Sequence, residues 1–392
     1  FLREAPVVYP TAGRRRHRWV TAVAGVAALF MLTAQAAAAY TSTTQTEHTS
    51  KAAPEAVELS GLVSSPTYPD WYWSMSDVWK TTDAPAACSG LAGAPLRECQ
   101  QVQRSRIWAI HLDPVTHEAL EIRSFAVNNP AWALDPVITQ NNDWEDITVG
   151  PPQATGAGDT TRNIIIGAIG NSNANLVYDS TGTDITCDTR RLIEFTEPDL
   201  SDPSVRTWSP WKIFDIKNFV GLGRIASCNA ESLVQAPDAQ GAPQAYFVTR
   251  GGGAGRVLSR SLDVSTGRDP QTPATPVGSS AAYAPAVSYV GIVKGSKGAQ
   301  LTAADTDGDT VVMTSPQTST KPCQLFQWST KESTFATTVT SVDPVKDAIA
   351  CKSTEGVAFT RNPANVGSFT LDLVTVSDTK TGVLRYWYLP AG

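Results

Sequence analysis

From residue 57 onward, the chain consists of short apolar runs separated by turn residues. The runs are rich in Val, Ile, Phe, Tyr and Trp, as in RNIIIGAIGN (162–171) and QAYFVTRG (244–251). Helical periodicity is scarce in this part of the sequence, whereas β-branched and aromatic runs bounded by Gly, Pro, Asp and Asn are typical of β-strands. The pattern therefore predicts an all-β fold.

The predicted strands recur in groups of four, and four of the five groups open near an acid. The group openings are ELSGLVSS (58–65), DWEDITVGP (143–151), NAESLVQAP (229–237), QLTAADTDGD (300–309) and TEGVAFTRNP (354–363). Repeated four-stranded units whose strands are apolar without alternation are typical of β-propeller blades, since neighbouring blades bury both sheet faces. A β-sandwich is the alternative, but its strands would alternate more regularly.

Two features of the repeats bear on the number and closure of the blades. In the fourth group we expect TFATTVTSV (334–342) to be the last strand. The fifth group is one strand short, and the segment just before Glu58 would supply that strand and close the ring. We predict a β-propeller of five visible blades, while a sixth blade hidden in the long second group stays open.

The first 39 residues differ from the rest of the chain. GRRRHR (13–18) precedes an almost uncharged run, residues 19–39, that ends in small residues. This order predicts a secretory signal peptide over residues 1–39, and the alternative is an uncleaved N-terminal anchor. Residues 40–56 are polar and aperiodic and predict a flexible linker. The propeller domain is then expected over residues 57–392, in a protein that is secreted or otherwise extracytoplasmic.

Charge narrows the choice of partner. Residues 1–39 hold five of the 31 basic and one of the 37 acidic side chains, so the chain from residue 40 carries a formal net charge of −10. Binding to nucleic acid or anionic lipid needs clustered Lys and Arg, which disfavours a nucleic-acid partner and any membrane contact beyond an N-terminal anchor. Cations fit better. We expect a monomer whose partner is a small molecule or an extracellular protein.

All six cysteines follow the predicted signal, and their even number without any C-x-x-C pair predicts a disulfide framework. Cys88 and Cys99 would close a local loop. Loop placement pairs Cys187 with Cys228, between blades two and three, and Cys323 with Cys351, between blades four and five. The last two bridges would then lie at equivalent positions on one face of the propeller.

Several of these segments together are similar to a group of secreted β-propellers related to the phytase-like and esterase-like propellers. The similarity rests on ELSGL, DWEDITVG, IIIGAIGNSN, FTEPDL, NAESLVQAP and EGVAFT, and D-W-E-D-I is the most specific element. Many members of this group are uncharacterised. The resemblance implies a calcium-dependent hydrolase of phosphate or carboxylic esters. Three acids common in the group are replaced here by Ala168, Asn171 and Asn229, which puts that activity in doubt.

The candidate site follows from propeller geometry, because the start of each innermost strand and the end of the second strand lie on the same face. This places oxygen-bearing side chains and one arginine around the mouth of the central channel: Glu58, Asp77, Asp143, Glu145, Asn171, Glu231, Arg250, Glu355 and Asp378. Carboxylates gathered in this number need a cation, protonation or solvent, and Ca²⁺ accepts six to eight oxygen ligands in irregular geometry. Trp144 would turn the other way, into the packing between blades.

Three functional interpretations remain open at this point. The ring of polar side chains is channel lining, or a calcium site in a binding protein, or part of a hydrolase that uses metal-activated water. A Ser-His-Asp triad is disfavoured because His111 and His117 fall on an outer strand and its turn. DTDGD (305–309) is similar to the start of a calcium loop, but position twelve is Pro316 instead of Glu, so a hairpin turn is expected.

Overall fold

The structure is a computed structural model of the chain, and it describes the greater part of residues 46–392. The described residues are 46–52, 56, 59–76, 89–93, 95, 105–128, 144–152, 162–170, 190–216, 229–250, 254–270, 287–317, 321–349, 353–362, 369–377 and 383–389. The predicted signal or anchor, residues 1–39, lies outside them. No helix among the described residues has the length and hydropathy needed to cross a membrane.

Twenty-one strands and two short helices make up the described elements. The strands are β1 Thr46–Ala52, β2 Leu59–Ser64, β3 Trp71–Ser76, β4 Ile107–Leu112, β5 Ala119–Val127, β6 Trp144–Pro152, β7 Arg162–Ala168, β8 Arg190–Thr196, β9 Thr207–Trp208, β10 Pro210–Ile216, β11 Ala230–Pro237, β12 Pro243–Thr249, β13 Arg256–Ser261, β14 Ser288–Ile292, β15 Ala303–Thr306, β16 Thr310–Ser315, β17 Cys323–Ser329, β18 Val345–Ile349, β19 Thr354–Arg361, β20 Phe369–Ser377 and β21 Val383–Leu389. The helices are a 3₁₀ turn, Val264–Thr266, and α1, Phe335–Ser341.

These strands form five antiparallel blades, as the repeats predict. Their orders are β2-β3-β4-β5, β6-β7-β8-β10, β11-β12-β13-β14, β15-β16-β17-β18 and β19-β20-β21-β1, and the two-residue β9 adds to β5 in parallel. The innermost strands β2, β6, β11, β15 and β19 contact one another in that order, and β19 contacts β2 again. The fold is therefore a five-bladed β-propeller, and the second group of strands contains no additional blade among the described residues.

The fifth blade takes its outermost strand from the N-terminal side of the chain. Strand β1 pairs antiparallel with β21, with Thr46 opposite Tyr388 and Thr49 opposite Arg385. The predicted closing strand is therefore present, but the linker assignment of residues 40–56 is wrong for residues 46–52. Polar Thr and Ser side chains hide such a strand from a hydrophobicity pattern, because an outermost strand buries little apolar surface.

The fourth blade differs from expectation at its outer edge. Residues 335–341 form helix α1, and the outermost strand is β18, further along the chain. The hydroxyl of Thr334 caps the helix by accepting a hydrogen bond from the Thr337 amide. Phe335, Thr338 and Val339 are buried at helical spacing, which outweighs the β-branched composition that favoured a strand.

The apolar core lies between the blades. Strands such as β7 bury nearly every side chain, as expected where both sheet faces are covered. Trp144 is fully buried between the first two blades and packs edge-on against Trp208, with ring centroids 6.0 Å apart. The predicted orientation of Trp144 away from the channel is confirmed. DTDGD is a hairpin, as expected: the Asp307 carboxylate accepts the amides of Asp309 and Thr310.

Candidate functional site at the channel mouth

Four of the nine predicted site residues are described, and all four lie where the innermost strands begin. Glu145, Glu231 and Glu355 are near the starts of β6, β11 and β19, and Arg250 directly follows β12. We call the three acids the glutamate ring. The other predicted site residues lie outside the described residues: Glu58, Asp77, Asp143, Asn171 and Asp378.

Each residue of the glutamate ring occupies a β-bulge. Along β6, Trp144 pairs with Ala168 and Asp146 pairs with Gly167, so Glu145 has no partner position in the ladder. The same irregularity surrounds Glu231 between Ala230 and Ser232 in β11, and Glu355 between Thr354 and Gly356 in β19. A bulge bends a strand and turns the extra side chain out of the usual alternation. Three blades therefore present Glu in the same way.

The first blade supports this arrangement through close backbone contact. Gly61 has φ of +65°, and a Cβ added there would lie 2.8 Å from the Asp146 Cα. A Cβ on Gly356 would lie 2.7 Å from the Gly61 carbonyl carbon. The Ser60 hydroxyl donates a hydrogen bond of 2.6 Å to the carbonyl of Glu145. The inner strands β2, β6 and β19 thus approach to a separation that only glycine allows.

Arg250 connects to the ring through Glu231. Its Nη1 lies 2.5 Å from Glu231 Oε1, and the Asn229 side-chain amide donates to the same oxygen at 2.7 Å. The Arg250 amide also donates to the Asn229 carbonyl at 2.8 Å. The side chain of Glu231 is 1% exposed and that of Arg250 is 36% exposed, so the pair reaches from the interior to solvent.

The pKa of Arg250 shows that all three glutamates lie close enough to influence its guanidinium group. Burial alone would lower the pKa of Arg250, but Glu231, then Glu355 and then Glu145 raise it above its ordinary value. Opposite charges within several ångströms stabilise the charged form in this way. Glu145 is 6% exposed, and Glu355 is partly exposed and accepts a hydrogen bond from the Ser353 hydroxyl at 3.2 Å.

Asp146 has a different role from the neighbouring Glu145. It is fully buried, and its carboxylate accepts the amides of Ile147 at 2.9 Å, Leu233 at 2.7 Å and Ala304 at 3.2 Å. These amides belong to three blades. Burial raises the pKa of Asp146 well above its usual range, although the three amides lower it.

Asp305 makes a similar connection between blades four and five. Its carboxylate accepts the amides of Thr306 and of Phe359 in blade five, each at 2.8 Å. Burial raises the pKa of Asp305 to about 7, against the lowering effect of these amides. The sequence analysis did not predict that Asp146 and Asp305 accept main-chain amides of neighbouring blades. The only signal in the sequence is the presence of these acids within D-W-E-D and D-T-D-G-D.

Two observations limit what can bind at the channel mouth. Arg162 begins β7 and lies at the opposite end of the channel from Arg250, where the inner strands end. Within the described part of the chain, no three Asp, Glu, His or Cys side chains are close enough together to hold a metal ion.

Of the six cysteines, only Cys323 lies among the described residues. Cys323 begins β17, is 1% exposed and is disulfide-bonded. The remaining predicted disulfide residues, Cys88, Cys99, Cys187, Cys228 and Cys351, lie outside the described residues. The three predicted pairs stay a prediction.

No protein-family model and no curated protein matches the chain. Several solved structures are similar to the chain over much of its length. They include the PQQ-bound aldose sugar dehydrogenase of Streptomyces coelicolor (11% identity, TM-score 0.37, 88% of this chain and 98% of that chain) and the α-L-arabinofuranosidase of Lactobacillus brevis (11%, 0.38, 86% and 91%). The Dos1 propeller is a third (12%, 0.28, 85% and 68%). The five-bladed fold rests on the strand pairing of the chain itself, and the relation to phytase-like propellers stays a prediction.

Proposed function

We propose that this protein is a binding protein that holds a cation, Ca²⁺ in particular, at the mouth of its propeller channel. The observation that carries the proposal is the recurrence of Glu in the same β-bulge of three blades. A structural role alone does not require three identical side chains in this position. Bulges that re-aim a side chain are common next to functional sites.

Formal charge supports a divalent ion. The glutamate ring holds three carboxylates, and Arg250 is the single cation shown to pair with it among the described residues. Carboxylates gathered in one region favour a bound cation, and a divalent ion offsets more of their negative charge than a monovalent one. Because no three acids of the described residues are close enough for a metal site, we expect the ion to take further oxygen ligands from Glu58, Asp143 or Asn171.

The alternative is a calcium-dependent hydrolase of phosphate or carboxylic esters. One observation favours it: Arg250 is partly exposed beside the carboxylates and presents guanidinium N–H groups that suit phosphate or carboxylate oxygens. In that case the metal would activate water and the carboxylates would transfer protons.

Thermal unfolding with and without calcium tests the proposal. An ion that binds only the folded state stabilises it by about 2.7 kcal/mol at a hundred times its dissociation constant. We expect the Tm to rise by a few degrees in millimolar CaCl₂ relative to EGTA, and Mg²⁺ to have a smaller effect because it demands regular octahedral geometry. Equal Tm values in CaCl₂ and EGTA would contradict it. A screen of phosphate and carboxylic esters in both buffers separates binding from hydrolysis.

A further inference from the structure

A second site lies at the other end of the channel, on the face opposite the glutamate ring. A cavity of about 480 Å³ opens there, and all five blades contribute to its wall. The inner strands supply Ser64, Thr148, Pro237 and Arg361 near their ends, and the β15–β16 hairpin supplies Asp307. The volume is that of a small-molecule site.

The cavity brings two arginines together. Arg361 ends β19 and is 5% exposed, and Arg162 begins β7 on the far side of blade one. Burial lowers the pKa of Arg361 and the positive charge of Arg162 lowers it further, while the carboxylates of Asp305 and Glu197 act in the opposite direction. Two guanidinium groups close enough to affect each other are an unfavourable arrangement unless negative charge lies beside them. Lys331 adds a third cation at the rim.

Two acids of the cavity wall, Asp305 and Asp307, accept main-chain amides. Asp305 directs both carboxylate oxygens to the amides of Thr306 and Phe359, and its pKa of about 7 leaves it partly protonated at neutral pH. Asp307 accepts the two amides of its own turn, and burial raises its pKa as well. The carboxylates are thus committed to the main chain.

Hydrogen bonds within the protein hold the cavity wall in place. The Thr148 hydroxyl accepts the Gln235 amide at 3.3 Å, and the Thr330 hydroxyl donates to the Gly308 carbonyl at 2.7 Å. Ser64 donates to the Phe359 carbonyl. Such contacts join neighbouring blades and strands around the cavity, so a ligand would meet a largely preformed surface.

We propose that this cavity binds a small organic anion, whose carboxylate or phosphate group is held between Arg162 and Arg361. Planar guanidinium groups bind both oxyanions in a bidentate manner. Lys331 attracts the anion at the rim. This site is independent of the glutamate ring and requires no calcium.

Isothermal titration calorimetry with inorganic phosphate, glucuronate and glucose, in EGTA and at constant ionic strength, tests the site. We expect wild-type protein to bind one or both anions and to give no heat with glucose; the stronger anion identifies the chemistry. Arg162→Gln should weaken binding at least tenfold. Arg162→Lys, which keeps the charge and loses the bidentate geometry, should be intermediate.

Two controls accompany this experiment, an arginine variant outside the cavity and a melting curve. Arg385→Gln removes an exposed arginine of β21 away from the cavity and should leave affinity unchanged. Since Arg162 is exposed at the start of its strand, its replacement should leave the melting curve nearly unchanged. No heat from either anion at 10 mM, or equal affinity in Arg162→Gln and wild type, would overturn the proposal.

Discussion

Arg250 and Glu231 form an ion pair that joins the first two strands of blade three at the mouth of the channel, with 2.5 Å between Nη1 and Oε1. The carboxylate is buried, whereas the guanidinium is partly exposed. The protein therefore supplies one cation of its own to the glutamate ring. In the proposed calcium site the ion would share the carboxylates with Arg250, so that replacing Arg250 would change stability and calcium affinity in opposite directions.

Replacing Arg250 should have two effects in opposite directions. Arg250→Gln leaves Glu231 buried without its guanidinium partner, which should lower the free energy of unfolding in EGTA by about 2 kcal/mol, below the full cost of a buried pair because Arg250 is partly exposed. Removing a positive charge should also tighten calcium binding by about fivefold or more. Denaturant titration and calorimetry measure the two effects. Arg385→Gln should show neither, and weaker calcium binding in Arg250→Gln would contradict the shared site.

The close approach of the inner strands predicts a steric cost at Gly61. Gly61→Ala would place a Cβ 2.8 Å from the Asp146 main chain, in addition to the strain of a positive φ. We expect a loss of about 3 kcal/mol or more by denaturant titration. Gly241→Ala is the matched control, since φ is +82° with nothing within 4 Å, and should cost about 1 kcal/mol. Equal losses would mean that β2 and β6 do not approach as described.

Asp305 predicts a specific dependence of stability on pH. Its folded-state pKa of about 7 exceeds the roughly 3.9 of an unfolded Asp, so the folded state holds the proton more tightly. The stabilisation is fully present below about pH 4 and is lost as pH rises through 7, by roughly 1 kcal/mol per pH unit.

Asp305→Asn isolates this contribution. The variant cannot titrate, so its free energy of unfolding should fall less steeply between pH 4 and 7 than that of the wild type. Glu197, whose pKa burial also raises, affects both proteins alike. The raised pKa of Asp146 is due mainly to burial, and the charge of Asp305 adds to it, so the variant changes the Asp146 contribution only through this smaller effect. Denaturant titrations across this range measure the two slopes, and identical slopes would show that Asp305 is ionised throughout.

The pairing of β1 with β21 predicts where truncation becomes harmful. A protein that begins at Tyr40, near the predicted cleavage site, keeps the whole of β1, whereas one that begins at Ala53 leaves the outer edge of β21 unpaired. We expect the shorter protein to melt several degrees lower and to aggregate through its open edge. Indistinguishable melting curves would show that the fifth blade is stable with three strands.

The sequence predicts the blades and the position of the glutamates because both depend on local patterns. Strands buried on both faces are apolar throughout, and Glu145, Glu231 and Glu355 recur at one phase of the repeat. Helix α1 was not predicted, because the composition of this Thr-rich segment favours a strand. The Thr334 cap and the burial of one helical face determine that it is a helix.

The remaining features depend on contacts between distant parts of the chain. The Asp146 carboxylate accepts amides 87 and 158 residues further along the chain, so no local pattern distinguishes it from the neighbouring Glu145. Each bulge is defined by the pairing of two strands, and the two arginines that line the opposite cavity come from blades two and five. These relationships exist only after the ring has closed.

Direct calcium titration by calorimetry tests the central claim, with EGTA-treated wild type, Glu145→Gln and Glu118→Gln. Glu145→Gln keeps the shape of the bulged side chain and removes its charge, while Glu118→Gln removes an exposed Glu outside the channel. We predict one calcium per wild-type chain, unchanged affinity in Glu118→Gln, and at least tenfold weaker binding in Glu145→Gln. No calcium binding by the wild type, or equal affinity in all three proteins, would contradict the claim and leave the glutamate ring as the lining of the channel.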